Sequence, residues 1–85
     1  MSELNHIDVY NKLRSLSAQL IREIPETMAG FGELHVASVS SEALDKKTKE
    51  LIALSIGITS HCNGCIAFHV HDALEAGANR REILE

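Results

Sequence analysis

Apolar residues recur at spacings of three and four along the first third of the chain, at Ile7, Tyr10, Leu13, Leu16, Leu20, Ile21 and Ile24. This period is typical of one face of an amphipathic helix, and Asn5 is suited to cap its start. Pro25 ends the helix, because proline disfavours helical geometry in the residue before it. Proline is well tolerated at a first helical position, so a second helix is predicted from near Pro25 to Val39.

Two further helices are predicted to form an antiparallel hairpin. Asp45 is suited to cap the third helix, whose residues are apolar nearly all round, and this pattern indicates burial on most sides. The fourth helix is expected from about Cys62 to Ala76, after a tight turn. The chain is therefore predicted to be all-α, with a central antiparallel helical hairpin that carries a Cys-x-x-Cys pair.

The last residues predict a short fifth helix. Asn79 and Glu82 have capping-box spacing, and the sequence stops at Glu85. A single turn has little stability alone, because the first turn of a helix is a costly nucleus. We therefore expect that the protein either continues beyond Glu85 or docks this end on another subunit. Residues 1–85 are expected to form one domain that is completed by oligomerisation.

Composition and charge exclude several classes of partner. The 85 residues carry a net charge of −4 and no basic stripe, which argues against nucleic-acid binding. Residues 51–70 have no charged side chain, but the polar turn at residues 60–64 would be expensive at the centre of a bilayer, so no membrane span is expected. The N-terminus has no signal-peptide pattern, and we expect a cytoplasmic protein.

Three side chains on the fourth helix form a reactive stripe. Cys62, Cys65 and His69 lie within about 60° of one another around a helix. Three-residue spacing brings the two sulfurs within bonding distance, and the positive end of the helix dipole stabilises a thiolate. The dipole favours Cys62 as the attacking sulfur, whereas proximity to His69 favours Cys65. We choose Cys65.

Glu50 is expected to lie beside His69. If the third and fourth helices fold back about a turn at residues 60–61, the residue level with Glu50 is near position 71, about half a turn from His69. A carboxylate there can orient the imidazole, in the carboxylate–base–nucleophile order of acyl-transfer triads. Such a site suits peroxide reduction, in which a thiolate is oxidised to sulfenic acid and a second thiol condenses with it.

The segments KELIAL at residues 49–54, CNGCIAFH at 62–69 and EAGA at 75–78 resemble the alkylhydroperoxidase AhpD-like core of the carboxymuconolactone decarboxylase family. The family pattern is Glu, eleven residues, Cys-x-x-Cys, three residues and His. One departure is Gly64, where the member best known for peroxidase activity has a histidine. The decarboxylase branch of the family lacks the cysteine pair, so that activity is not expected here.

The resemblance implies an all-helical homotrimer or homohexamer that reduces alkyl hydroperoxides. It implies Cys65 as the peroxidatic residue, Cys62 as the resolving residue, and Glu50 with His69 as a proton relay. No resident cofactor or metal is expected. The reductant would be an external dithiol, such as a lipoyl- or thioredoxin-type protein.

Other interpretations remain open from the residues alone. The pair could serve general dithiol–disulfide exchange, or Cys62, Cys65, His69 and Glu50 could bind zinc in a non-catalytic module. Two inert cysteines in a helical oligomer are a further alternative. The remaining histidines and the lysine-rich run are interpreted as packing, surface, interface or capping positions: His6, His35, His61, His71 and residues 45–49.

Overall fold

The computed structural model describes residues 5–85 as five α-helices joined by short connections. The helices are α1 (His6–Glu23), α2 (Pro25–Val39), α3 (Lys46–Thr59), α4 (Asn63–Glu75) and α5 (Arg80–Leu84). The described part of the chain contains no strand, so the predicted all-α class is confirmed.

Polar side chains cap the helices where the sequence predicts caps. The Asn5 side chain accepts hydrogen bonds from the first turn of α1, and the Asp45 carboxylate accepts one from the Thr48 N–H at 2.8 Å. Asn79 and Glu82 complete a reciprocal capping box at α5. These contacts satisfy backbone donors that a helix start would otherwise leave unpaired.

The turn between α3 and α4 is closed by backbone hydrogen bonds. His61 adopts the left-handed conformation, with φ of +57°, and the Cys62 N–H donates to the Gly57 carbonyl at 2.9 Å. The fourth helix begins at Asn63, one residue later than expected, because Cys62 is its N-cap. The two helices pack antiparallel, as the hairpin prediction requires.

The first helix packs on α4. The Tyr10 ring lies 4.2 Å from the His71 ring in a stacked arrangement and 5.0 Å from the Phe68 ring. A side chain at position 64 would meet the Leu13 methyl group, since a Cβ built on Gly64 lies 2.9 Å from Leu13 Cδ1. In this fold α1 therefore occupies the space beside the Cys-x-x-Cys turn.

Few side chains are fully buried in the single chain. The buried apolar residues lie on α3, on α4 and just before α5: Leu54, Ala67, Ala73 and Ala78. Neither α1 nor α2 buries any residue. A Cβ at Gly30 or Gly32 of α2 would meet nothing within 4 Å in this chain.

Membrane-spanning segments were also sought among residues 5–85. None of the helices there combines the length and the hydropathy that a bilayer span requires.

Candidate functional site

The two cysteines lie at the start of α4 and are joined by a disulfide bond. Cys62 is the N-cap of the helix, and its Sγ accepts a hydrogen bond from the Cys65 N–H at 3.2 Å. Their Cα atoms are 5.2 Å apart, which is ordinary for a disulfide. Both sulfurs are thus near the positive end of the helix dipole, where a thiolate is favoured after reduction.

Glu50 of α3 lies directly against His69 of α4. The distance from His69 Nδ1 to Glu50 Oε2 is 2.8 Å, and the predicted contact across the hairpin is therefore present. Glu50 is completely buried, whereas the His69 side chain is 23% exposed. A buried carboxylate is an acceptor, so the ring donates from Nδ1–H and leaves Nε2 free to exchange a proton.

Lys46 is a third member of this group. Its Nζ is 3.2 Å from Glu50 Oε1, and its side chain is 40% exposed. The sequence analysis did not include Lys46 in the site. Its four-residue spacing to Glu50 allows the contact on one helix, but the spacing does not show that Glu50 is buried against His69.

The disulfide and His69 line one side of an open cleft of about 480 Å³. Phe68 of α4 and Phe31 of α2 contribute its aromatic walls, and His35 of α2 lies at its border. The sequence placed His35 among packing or surface residues, and it is exposed. A cleft of this size accepts a small organic molecule, with sulfur and imidazole at its wall.

Asp72 is a site residue that the sequence did not single out. It lines the same cleft, and ligand atoms of Asp72, Glu50 and His69 lie within 4.8 Å of one another. This is the group in residues 5–85 with the donor types to hold a cation. The zinc alternative drew on the two cysteines, whose sulfurs are bonded to each other here.

The other histidines near the hairpin lie away from the cleft lining. His71 faces α1, where its Nδ1 donates to Asp72 Oδ1 at 3.1 Å and its ring stacks on Tyr10. His61 is exposed at the turn. Both positions agree with the interface or surface interpretation.

Residues 25–85 match the carboxymuconolactone decarboxylase family, and the chain belongs to that family. The match covers α2 to α5, and so includes both cysteines, His69 and Glu50.

Two bacterial proteins have similar sequences. An uncharacterised protein of Haemophilus influenzae is 35% identical over 65% of this chain and 49% of its own length. An uncharacterised protein of the Paracoccus denitrificans cox locus is 33% identical over 73% of this chain and 68% of its own length. The chain thus spans about half to two thirds of these relatives.

A solved structure has a similar fold. The apo crystal structure of a carboxymuconolactone decarboxylase family protein from Legionella pneumophila superposes with a TM-score of 0.86 and 38% identity. The superposition covers 93% of this chain and 70% of that protein. The likeness extends to α1, which precedes the residues matched by the family.

Proposed function

We propose that this protein is a thiol-dependent peroxidase that reduces organic hydroperoxides through its Cys62–Cys65 pair. One observation carries the proposal: a fully buried carboxylate, Glu50, is hydrogen-bonded to an imidazole one turn from a redox-capable cysteine pair. Carboxylate, base and nucleophile in this order are the groups that activate a weak nucleophile.

The first step oxidises Cys65. With the pair reduced, His69 Nε2 takes the proton of the Cys65 thiol, and the thiolate attacks the terminal oxygen of the hydroperoxide. An S–O bond forms as the O–O bond breaks, and the imidazolium returns its proton to the leaving alkoxide. The products are an alcohol and a sulfenic acid on Cys65.

The second step forms the disulfide. The Cys62 sulfur attacks the sulfenic sulfur, an S–S bond replaces the S–O bond, and water leaves with the Cys62 proton. An external dithiol then restores both thiols by two exchange steps and leaves as its own disulfide. We assign this role to a lipoyl- or thioredoxin-type protein of the cytoplasm, where such dithiols are kept reduced.

The cleft supports an organic substrate. Phe31 and Phe68 line the same cleft as the disulfide and offer apolar contacts, so an alkyl chain can be desolvated while its peroxide group reaches Cys65. No resident cofactor is required, because sulfur supplies both electrons. The same chemistry acts in a homotrimer or homohexamer, which we propose as the assembled form.

The test is hydroperoxide consumption by purified variants, with dithiothreitol as reductant and cumene hydroperoxide as substrate. Cys65→Ser is expected to abolish consumption. Cys62→Ser is expected to slow it, because the sulfenic acid on Cys65 then has no partner thiol in the chain and must react with dithiothreitol directly. Glu50→Gln and His69→Gln are expected to slow it by about 100-fold or more, the usual contribution of acid–base catalysis. His71→Gln is the matched control on the same helix and should retain the wild-type rate.

Three outcomes would contradict the proposal. Full activity of Cys65→Ser would remove the assigned nucleophile. A wild-type protein that reduces a mixed disulfide but no hydroperoxide would be a dithiol oxidoreductase. Inert thiols in the reduced protein would show that it is not a thiol enzyme. It would then be a zinc-stabilised module if zinc is bound stoichiometrically, and otherwise a non-catalytic helical oligomer.

A further inference from the structure

The first turn of α3 contains an unusual run of cations. Lys46, Lys47 and Lys49 lie at the positive end of the helix dipole, and the turn has no acidic residue. Helix starts favour acidic side chains, so this run opposes the local electrostatic preference. A local preference that is broken in this way often indicates a role elsewhere in the structure.

Two of the lysines join neighbouring parts of the chain. Lys47 Nζ lies 2.7 Å from Glu82 of α5, and Lys49 Nζ donates to the Ser40 carbonyl at 2.8 Å. Neither reaches the residues around the disulfide. Lys46 differs because its partner is Glu50, the buried carboxylate that contacts His69.

The two oxygens of Glu50 have one charged or ring partner each. Oε1 accepts from Lys46 Nζ at 3.2 Å, and Oε2 accepts from His69 Nδ1 at 2.8 Å. Glu50 is fully buried, whereas the Lys46 side chain is 40% exposed. A buried carboxylate needs a compensating cation, and Lys46 is the permanently charged one in contact with it.

We infer that Lys46 is a positioning residue that holds Glu50 as a charged acceptor and thereby sets the tautomer of His69. This inference rests on the proposed function. Lys46 does not line the cleft and touches no reacting atom. Its effect passes through Glu50, which accepts the Nδ1–H of His69 and so keeps Nε2 available as the base for the Cys65 thiol.

The loss of Lys46 has a definite chemical consequence. Without Lys46, the Oε1 atom of Glu50 would lose its contact with Nζ, and a buried carboxylate oxygen without a partner is costly. Glu50 would then be held less firmly as the acceptor for His69 Nδ1–H, and the ring would be less well oriented with Nε2 available as the base. Thiolate formation at Cys65 would therefore slow although every catalytic side chain is still present.

The experiment compares four variants in the reduced protein. Lys46→Met removes the charge and keeps the length, Lys46→Gln keeps an N–H donor without charge, and Lys46→Arg keeps the charge. Lys47→Met is the matched control at the next position. The two measurements are the rate of alkylation of the thiols by iodoacetamide and the rate of cumene hydroperoxide consumption, both near neutral pH.

We expect Lys46→Met and Lys46→Gln to slow both rates by about 10-fold or more. This is a part of the acid–base contribution of Glu50 and His69 together, which is about 100-fold or more. Lys46→Arg should recover most of the wild-type rate, and Lys47→Met should keep it. In a Glu50→Gln background, Lys46→Met should have little further effect, because two residues that act through one group are not additive.

Several results would overturn the inference. They are wild-type rates in Lys46→Gln, equal slowing in Lys47→Met, no recovery in Lys46→Arg, or full additivity with Glu50→Gln. If Lys46→Met does not fold, the Gln and Arg variants carry the same comparison. If the wild type consumes no hydroperoxide, the proposed function fails, and the alkylation rates still decide the role of Lys46.

Discussion

Gly57 allows α3 and α4 to approach each other at the level of the disulfide. A Cβ added there would lie 2.9 Å from the Cys65 Cβ and 3.5 Å from the Cys65 carbonyl carbon. Neither atom is the end of a flexible side chain, so the helices would have to move apart.

Gly57→Ala is therefore expected to lower the free energy of unfolding by about 1–3 kcal/mol, as overpacking of a close contact does. Urea unfolding followed by circular dichroism measures the change. Gly30→Ala is the control in another helix, where nothing lies within 4 Å, and it should raise stability by up to about 1 kcal/mol through helix propensity. A Gly57→Ala protein as stable as the wild type would contradict the close approach.

Individual residues differ in how well the sequence predicts them. Asn5, Asp45 and Asn79 were identified as caps because the capping residue and the N–H that it accepts from are two or three positions apart. Asp72 was not identified, since its role depends on which side chains face it after the helices pack. Lys46 was not identified although it is four residues from Glu50, because that spacing does not show that Glu50 is buried against His69.

At the scale of elements, the ion pair between α3 and α5 holds the last helix. Glu82 accepts from Lys47 through one oxygen and from the Asn79 N–H through the other. The Lys47 hydrogen bond, followed by that of Asn79, lowers the pKa of Glu82 below its ordinary 4.5. The same hydrogen bond raises the pKa of Lys47 above its ordinary 10.5.

These two pKa shifts predict the pH range in which the ion pair between Lys47 and Glu82 stabilises the fold. A lowered carboxyl pKa stabilises the fold above pH 4.5, and that contribution is lost as the pH falls through the folded-state pKa. A raised lysine pKa stabilises the fold below pH 10.5, and that contribution is lost as the pH rises through the folded-state pKa. Both contributions of the Lys47–Glu82 pair are therefore present between these two pH limits.

The measurement is urea unfolding of the wild type and of Glu82→Gln at about pH 7 and at about pH 3. At the higher pH, the free energy of unfolding of the wild type is expected to exceed that of Glu82→Gln. This difference between the two proteins should shrink at the lower pH, where Glu82 becomes protonated. A difference that does not change with pH would show that the pair contributes nothing through its charge.

The hairpin is the element whose geometry the sequence predicted best. Because α3 and α4 are continuous helices joined by a short turn, counting from the turn places Glu50 near His69, and the two side chains are in contact. The count succeeds because the rise per residue is the same in both helices. It says nothing about α2, whose Phe31 and His35 reach the cleft from a different direction.

At the scale of the whole molecule, the single chain exposes more surface than a folded monomer of its size. Its accessible surface is 6448 Å², compared with about 5,000 Å² expected at 9.3 kDa. The radius of gyration is 13.8 Å, compared with about 12 Å for a compact chain of this length. Large apolar side chains of α2 contribute to the excess, including Leu34, which is 66% exposed.

Such a surface predicts self-association, because large exposed apolar surfaces on a folded chain usually mark interaction sites. Leu34→Gln is expected to reduce the assembled mass in sedimentation velocity and to make the melting temperature depend more steeply on concentration. Glu33→Gln introduces the same side chain at the neighbouring exposed position and should leave the assembly intact. A wild-type protein that sediments at 9.3 kDa would contradict the prediction.

The sequence alone determined the five helices, their caps and the stripe of Cys62, Cys65 and His69, since these depend on hydrogen bonds and spacings within a few residues. Tertiary structure decided which charges meet across and beside the hairpin, that Leu13 fills the space next to Gly64, and that α2 borders the cleft. The reason is physical. A helix forms from local contacts, whereas the partner of a side chain on another helix depends on how the two helices cross and how closely they approach.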